Sequence, residues 1–326
     1  MEISTVRLHW RDGVFCFAFN GAADRGRHID GTGSRERERA RRELQRHRDS
    51  ALVSGKFDDH LPWGPGGVAF DGANIWIVNN GLNSVTKLQA NDGTLLGTFG
   101  VGNAPIGICF DGANMWIAND YSSSVTKLRA SDGITLGTFS VGTFPYDVAF
   151  DGANIWVTSE GANGVTKLRA SDGHLLGNFP AGNTPLFVAF DGANIWIADN
   201  GSDTVTKLRA SDGAKLGTFI VGSSPFGLAF DGANIWVTNA GSATVTKLRA
   251  SDGKVLGNFA VGLAPLGAVF DGDNIWVANL DSNSVTKLRA SDGALLGTFT
   301  VGFAPDFLAF DGANIWLSTG AGVTKL

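Results

Sequence analysis

The chain has 326 residues, 43% of them hydrophobic and 17% charged, with 45 glycines and two cysteines. That apolar content suffices for a packed core, the glycine excess favours short strands and tight turns over helices, and two cysteines cannot build a disulfide framework. The net charge of −5 is divided unevenly: residues 1–50 carry 11 Lys/Arg against 8 Asp/Glu, and residues 51–326 carry 15 against 23. An acidic body of this kind argues against a nucleic-acid partner, whose phosphates are held by basic side chains.

In chain order, residues 1–50 come first and share no pattern with the rest of the chain. Their one apolar run, Val14 to Phe19, is shorter than a signal-peptide core, and no run in the chain approaches the ~18 residues of a membrane span. Ser34 to Arg48 is a dense mixture of Arg and Glu, compatible with a solvated helix or disorder. Residues 1–50 are therefore expected to be a non-repeat extension, disordered or upstream of the true start. No compartment can be assigned from them.

From residue 51 onward the chain is periodic. FDGANIW begins at Phe70 and returns in close variants at Phe110, Phe150, Phe190, Phe230, Phe270 and Phe310, every 40 residues. VTKL also occurs seven times, from Val85 to Val323, and a proline precedes each unit. Each unit reads as four short strands. An apolar VAF-type run (strand a) ends in an Asp-Gly hairpin turn. NIWIV (strand b) alternates so that Trp76 faces one side and Ile75 and Ile77 the other. SVTKLQA (strand c) leads to a second Asp-Gly turn and to LLGTFGVG (strand d). Four-stranded units of about 40 residues are the blades of a β-propeller. The fold class expected is thus all-β, a single seven-bladed propeller over residues 51–326.

The d strand indicates how the ring closes. Its G-x-F motif ends at Phe99, Phe139, Phe179, Phe219, Phe259 and Phe299, but the chain stops after strand c of the seventh unit. A seventh copy, Gly55-Lys56-Phe57, lies upstream of the first unit, so residues 51–58 are expected to supply the missing strand. The segment 237–272, VTNAGSATVTKLRASDGKVLGNFAVGLAPLGAVFDG, resembles the YVTN-type propeller repeat, and the resemblance extends over residues 51–326. The related streptogramin lyases imply a His-centred, metal-assisted elimination, and no histidine here matches such a site. Outside residues 1–50 there are only His60 and His174.

The seven units can be compared with one another. The a–b and c–d turns hardly vary and share one face, whereas the b–c loops and d–a linkers share the other and carry nearly all the variation. Binding surfaces of repeat proteins are written on such a face. The positions after each proline place Ile106, Leu186, Phe226, Leu266 and Phe307 around a central funnel, with Tyr146, Asp147 and Asp306. The b–c loops add Asp120, Tyr121, Glu160, Asp199 and Asp203. The candidate ligand-binding residues are therefore Asp120, Tyr121, Tyr146, Asp147, Glu160, Asp199, Asp203, Phe226 and Asp306, an acidic and aromatic set without Lys or Arg. Such loop carboxylates commonly serve only solubility. As a site they suit a cation, a basic peptide or a sugar.

The repeated tryptophans read as inter-blade packing rather than a ligand cage. Cys109 stands where most sister blades have Ala and reads as a small buried apolar residue. The Lys/Arg stripe of VTKLRA is expected to lie along the blade and pair with turn aspartates. With no nucleophile–base pair, no phosphate loop and no DxDxDG calcium loop, the reading is a non-catalytic binding or scaffold propeller. It is expected to be monomeric, to need no cofactor, and to take a protein, peptide or carbohydrate partner, a divalent cation being the one metal left open. The alternatives are a carboxylate- or metal-dependent lyase or hydrolase in the same funnel, and a structural cell-surface repeat protein.

Overall fold

The computed structural model describes Gly55–Lys56 and residues 65–326, and it forms seven four-stranded antiparallel sheets. In the first blade strands a to d are Pro65–Phe70, Asn74–Asn79, Ser84–Gln89 and Leu95–Gly100. The Asp-Gly pairs set both turns of the uniform face, since Gly72 and Gly93 take φ of 97° and 75°, a region open to glycine. Register brings Trp76 of strand b opposite Lys87 of strand c, and Lys87 opposite Gly97 of strand d.

Alternation along strand b sends successive side chains into successive interfaces. Trp76 is fully buried against Ile108, Met115, Ile117 and Leu128 of the second blade. Each tryptophan repeats this across the next boundary, ending with Trp316 against Val68, Ile75, Ile77 and Leu88 of the first blade. The core is therefore seven separate wedges, one at every boundary, and the ring is continuous.

Burying an indole strands its N–H, and the FDGANIW motif resolves this. The Asp71 carboxylate accepts from Trp76 Nε1 at 2.8 Å, and from the Ala73 and Asn74 amides and the Asn74 side chain. One aspartate thus shapes the turn and satisfies the tryptophan. The G-x-F motif has an equally physical basis. Phe99 lies 5.5 Å from the Trp76 ring, directly over Gly97, where an added Cβ would come within 2.8 Å of it. Its ring also rests on Gly133 of the next blade, where a Cβ would collide with it.

The basic stripe divides in two. Arg129 pairs with Asp132 of its own c–d turn at 2.8 Å, as expected, and four further arginines repeat this. The lysines behave differently. Lys87 stands over the Trp76 ring at 5.1 Å and donates to the Ala130 carbonyl of the next blade at 2.7 Å. Strand c runs so close to the boundary that the buried ammonium meets the neighbouring turn before any carboxylate, so these lysines join blades.

The last blade is composed of Leu308–Phe310, Ile315–Thr319, Gly322–Lys325 and, as its fourth strand, Gly55–Lys56. Gly55 pairs with Lys325 and Lys56 with Thr324. Lys325 donates to the Ala90 carbonyl at 2.8 Å, repeating the inter-blade lysine bond across the closure. The other residues of the 51–58 strand, and the whole extension 1–50, lie outside the described residues. Among the described residues no helix is long and apolar enough to cross a membrane.

Deleting residues 1–58 removes the closing strand and leaves the edge Gly322–Lys325 unpaired, a template for association. The truncated chain is expected to melt lower and to form larger species on size-exclusion chromatography. Melting and elution identical to those of the full chain would show that the pair contributes nothing to closure.

Candidate functional site

The variable face is built from b–c loops clasped to d–a linkers. Asp120–Ser122 and Glu160–Ala162 form short 3-10 turns, each followed by a left-handed residue, Ser123 or Asn163. The Asp120 amide donates to the Ala104 carbonyl at 3.0 Å and the Glu160 amide to that of Phe144 at 2.9 Å. Ala104 and Phe144 themselves have φ of 50° and 53°, an uncommon conformation for a residue with a side chain and most of all for a bulky one. The linkers are thereby held in one shape, and the residues after each proline are aimed at the channel.

Strand a carries a register irregularity between Pro145 and Val148, so Tyr146 and Asp147 leave the regular alternation. Of the residues expected to line a funnel, Tyr146, Phe226 and Phe307 instead meet across it through Phe187, while Leu186, expected in its place, is buried. Tyr146, Phe187 and Phe226 lie 5.0–5.8 Å apart, ring centre to ring centre. Phe187 of the fourth blade also reaches Phe307 of the seventh at 5.5 Å. The rings span the channel as an aromatic floor beneath the variable face.

Carboxyl groups gather at this floor. Asp306 is half-buried, its Oδ1 is buried without a hydrogen-bond partner, and burial raises its pKa to about 7. The phenol of Tyr146 is pushed far above its usual range, first by burial and then by the charges of Asp306, Asp147, Glu160 and Asp120. Charges from blades two, three and seven thus act on one hydroxyl. Asp120 is itself raised, by burial and then by Glu160 of the neighbouring blade. Tyr121 stands 69% exposed on the rim.

Three of the nine candidates have their carboxylates engaged in holding the fold. Asp147 is buried, with a pKa raised to about 7 by burial against the lowering effect of amides. It accepts from the Val188 amide of the next blade at 3.1 Å. Asp199 takes the place of Asn119 and its counterparts, accepting from the Gly182 amide and from the Thr204 and Thr206 hydroxyls. Asp203 accepts from the Ser224 amide at 2.8 Å. Asp120, Tyr121 and Glu160 remain on the rim, with Tyr146, Phe226 and Asp306 at the floor.

The face also presents residues outside the nine candidates. Leu82, Phe144, Leu263 and Phe303 are 61%, 49%, 61% and 69% exposed, around the same rim as Tyr121. Phe144, Leu263 and Phe303 depart from the small or polar residues of sister linkers, and that departure is the signal by which sequence alone could find them. Among the described residues no three His, Cys, Asp or Glu side chains come together as a metal site. His174 is exposed in a c–d turn on the opposite face.

No family model matches the chain, and no curated protein matches it. Solved structures do. A streptogramin B lyase aligns with a TM-score of 0.74 at 16% identity, over 84% of this chain and 96% of that one. A catalytically inactive virginiamycin B lyase from Staphylococcus aureus, with quinupristin, aligns at 0.73 and 17% identity, over 83% and 97%. Hydrazine synthase of Kuenenia stuttgartiensis aligns at 0.73 and 18%, over 85% and 98%. At such identities the likeness is one of fold.

Asp306 sets a pH dependence of stability. Its folded pKa of about 7 lies above the ordinary value of 3.8, so the unfolded chain loses this proton first. Stability then falls as pH rises through that interval and levels off above it. Asp306→Asn removes the burial of charge, so this variant is expected to melt above the parent at pH 8 and level with it near pH 4. A melting difference independent of pH would contradict the assignment.

Proposed function

We propose that this chain is a non-catalytic binding propeller that takes a basic segment of a partner protein on its variable face. The observation carrying this reading is the buried Asp306 carboxyl oxygen without a hydrogen-bond partner, whose charge acts on the Tyr146 phenol of the aromatic floor. A buried carboxylate left unpaired is costly, and an incoming ammonium or guanidinium group supplies the missing donor. Aromatic faces beside it add cation–π attraction. Among the described residues no three of these carboxyls converge as metal ligands do, which favours an organic cation over a divalent ion. The exposed Tyr121, Phe144 and Phe303 favour a protein over a small cation, because rim aromatics anchor protein interfaces.

The test is fluorescence anisotropy with labelled oligolysine and oligoglutamate peptides at low salt and pH 8. Oligolysine is expected to bind, oligoglutamate not, and Asp306→Asn to weaken binding about tenfold, a loss of roughly 1.4 kcal/mol. Because the Asp306 charge is present above pH 7 and absent below it, affinity is expected to fall as pH drops through 7. Equal binding of both peptides, or an affinity indifferent to Asp306→Asn, would count against the reading.

A further inference from the structure

Beneath the aromatic floor the channel opens again. A cavity of about 340 Å³ lies at the uniform end, walled by the phenylalanine that opens each FDGANIW motif together with Val148, Val188, Leu228 and Cys109. All seven phenylalanines line it, and six of the seven are only half-buried, so they present ring surface to an interior space. No charged side chain is among the lining residues. Burial keeps the Cys109 thiol protonated, which leaves it a small apolar wall residue.

Two features define what fits. An apolar cavity of about 150 Å³ already admits benzene, and small-ligand pockets begin at about 300 Å³. The space here therefore suits a body of two or three fused rings. Strand a is the innermost strand, and its ladder to strand b alternates. The Asp151 amide bonds to the Asn154 carbonyl, so the Phe150 backbone groups turn away from strand b toward the channel. The wall thus offers a few amide groups among aromatic and aliphatic side chains. Each lining phenylalanine is followed directly in sequence by an aspartate, Asp71 to Asp311, and this added negative charge disfavours anions.

We propose that this end of the channel is a second binding site, for one uncharged, compact, largely aromatic molecule carrying a single hydrogen-bonding group. It is independent of the variable face, from which the rings of Tyr146, Phe187, Phe226 and Phe307 separate it. The site arises because seven near-identical motifs deliver seven phenylalanines to one axis.

The probe is N-phenyl-1-naphthylamine, a neutral dye that brightens in apolar surroundings, titrated into the full chain. Saturable brightening at one molecule per chain is expected, with a rise in melting temperature at saturation. The anionic dye 1-anilinonaphthalene-8-sulfonate is expected to bind at least tenfold more weakly. The pair Phe150→Leu and Phe230→Leu keeps apolar packing while removing two rings, and is expected to weaken N-phenyl-1-naphthylamine at least tenfold. Ile220→Ala, 79% exposed on the outer strand Lys215–Ile220 of its blade, should change it less than twofold. Circular dichroism melting of each variant verifies that it is folded. Absence of saturable brightening and of any melting shift in the parent chain would overturn the proposal. So would a loss of binding in Ile220→Ala that the double variant does not show.

Discussion

In every blade a tryptophan is buried whose indole N–H has to find an acceptor away from water. Trp76 finds it in Asp71, and the same 2.7–2.8 Å bond recurs in all seven blades. Much of the blade depends on that one pairing. The aspartate must sit at the a–b turn, its second oxygen shapes that turn through the neighbouring amides, and the next residue must be glycine at positive φ. The ring it positions forms the wedge between blades, the phenylalanine of strand d covers it, and a lysine caps its face and reaches to the neighbouring turn.

This division of labour explains why one face is uniform and the other is not. Motif residues that shape the a–b and c–d turns take part in the tryptophan network or its inter-blade bonds, so they are held constant. The opposite loops need only a left-handed residue and a clasp between loop and linker, and the clasp is indifferent to most side chains because it runs through backbone amides. Where a side chain does take part, the choice is narrow. Asn119 and Asp199 serve alike because each offers an oxygen to a linker amide and a hydrogen-bond partner to strand c hydroxyls. Exposed Tyr121, Phe144 and Phe303 and the floor around Asp306 are what such freedom permits.

Blade number, strand order and the closing pair were all legible in the sequence, because a 40-residue period with invariant turn residues leaves little else for the chain to form. The wedge role of the tryptophans was legible for the same reason. The inter-blade lysine bonds were not, since their acceptors are main-chain carbonyls 43 residues away. The candidate site was legible only in part. Departures among repeats flagged Tyr146, Asp147 and Asp306, but the irregular start of strand a in blades three to five accompanies the meeting of Tyr146, Phe187 and Phe226 across the channel, so an expected funnel is a packed floor. Composition could not separate Asp199 and Asp203, which hold loops together, from Asp120 and Glu160, which do not. The cavity at the uniform end was hidden because its phenylalanines looked like part of the repeat alone.

The central claim is that the Asp–Trp bond holds the ring while the variable rim is free of that burden. Urea denaturation of Asp191→Ala and Glu160→Gln tests it most directly. Asp191→Ala strands the Trp196 indole N–H and is expected to lose about 1–3 kcal/mol. Glu160→Gln, on an exposed loop, is expected to stay within about 0.5 kcal/mol of the parent chain. Equal losses in the two variants, or an unchanged Asp191→Ala, would contradict the account.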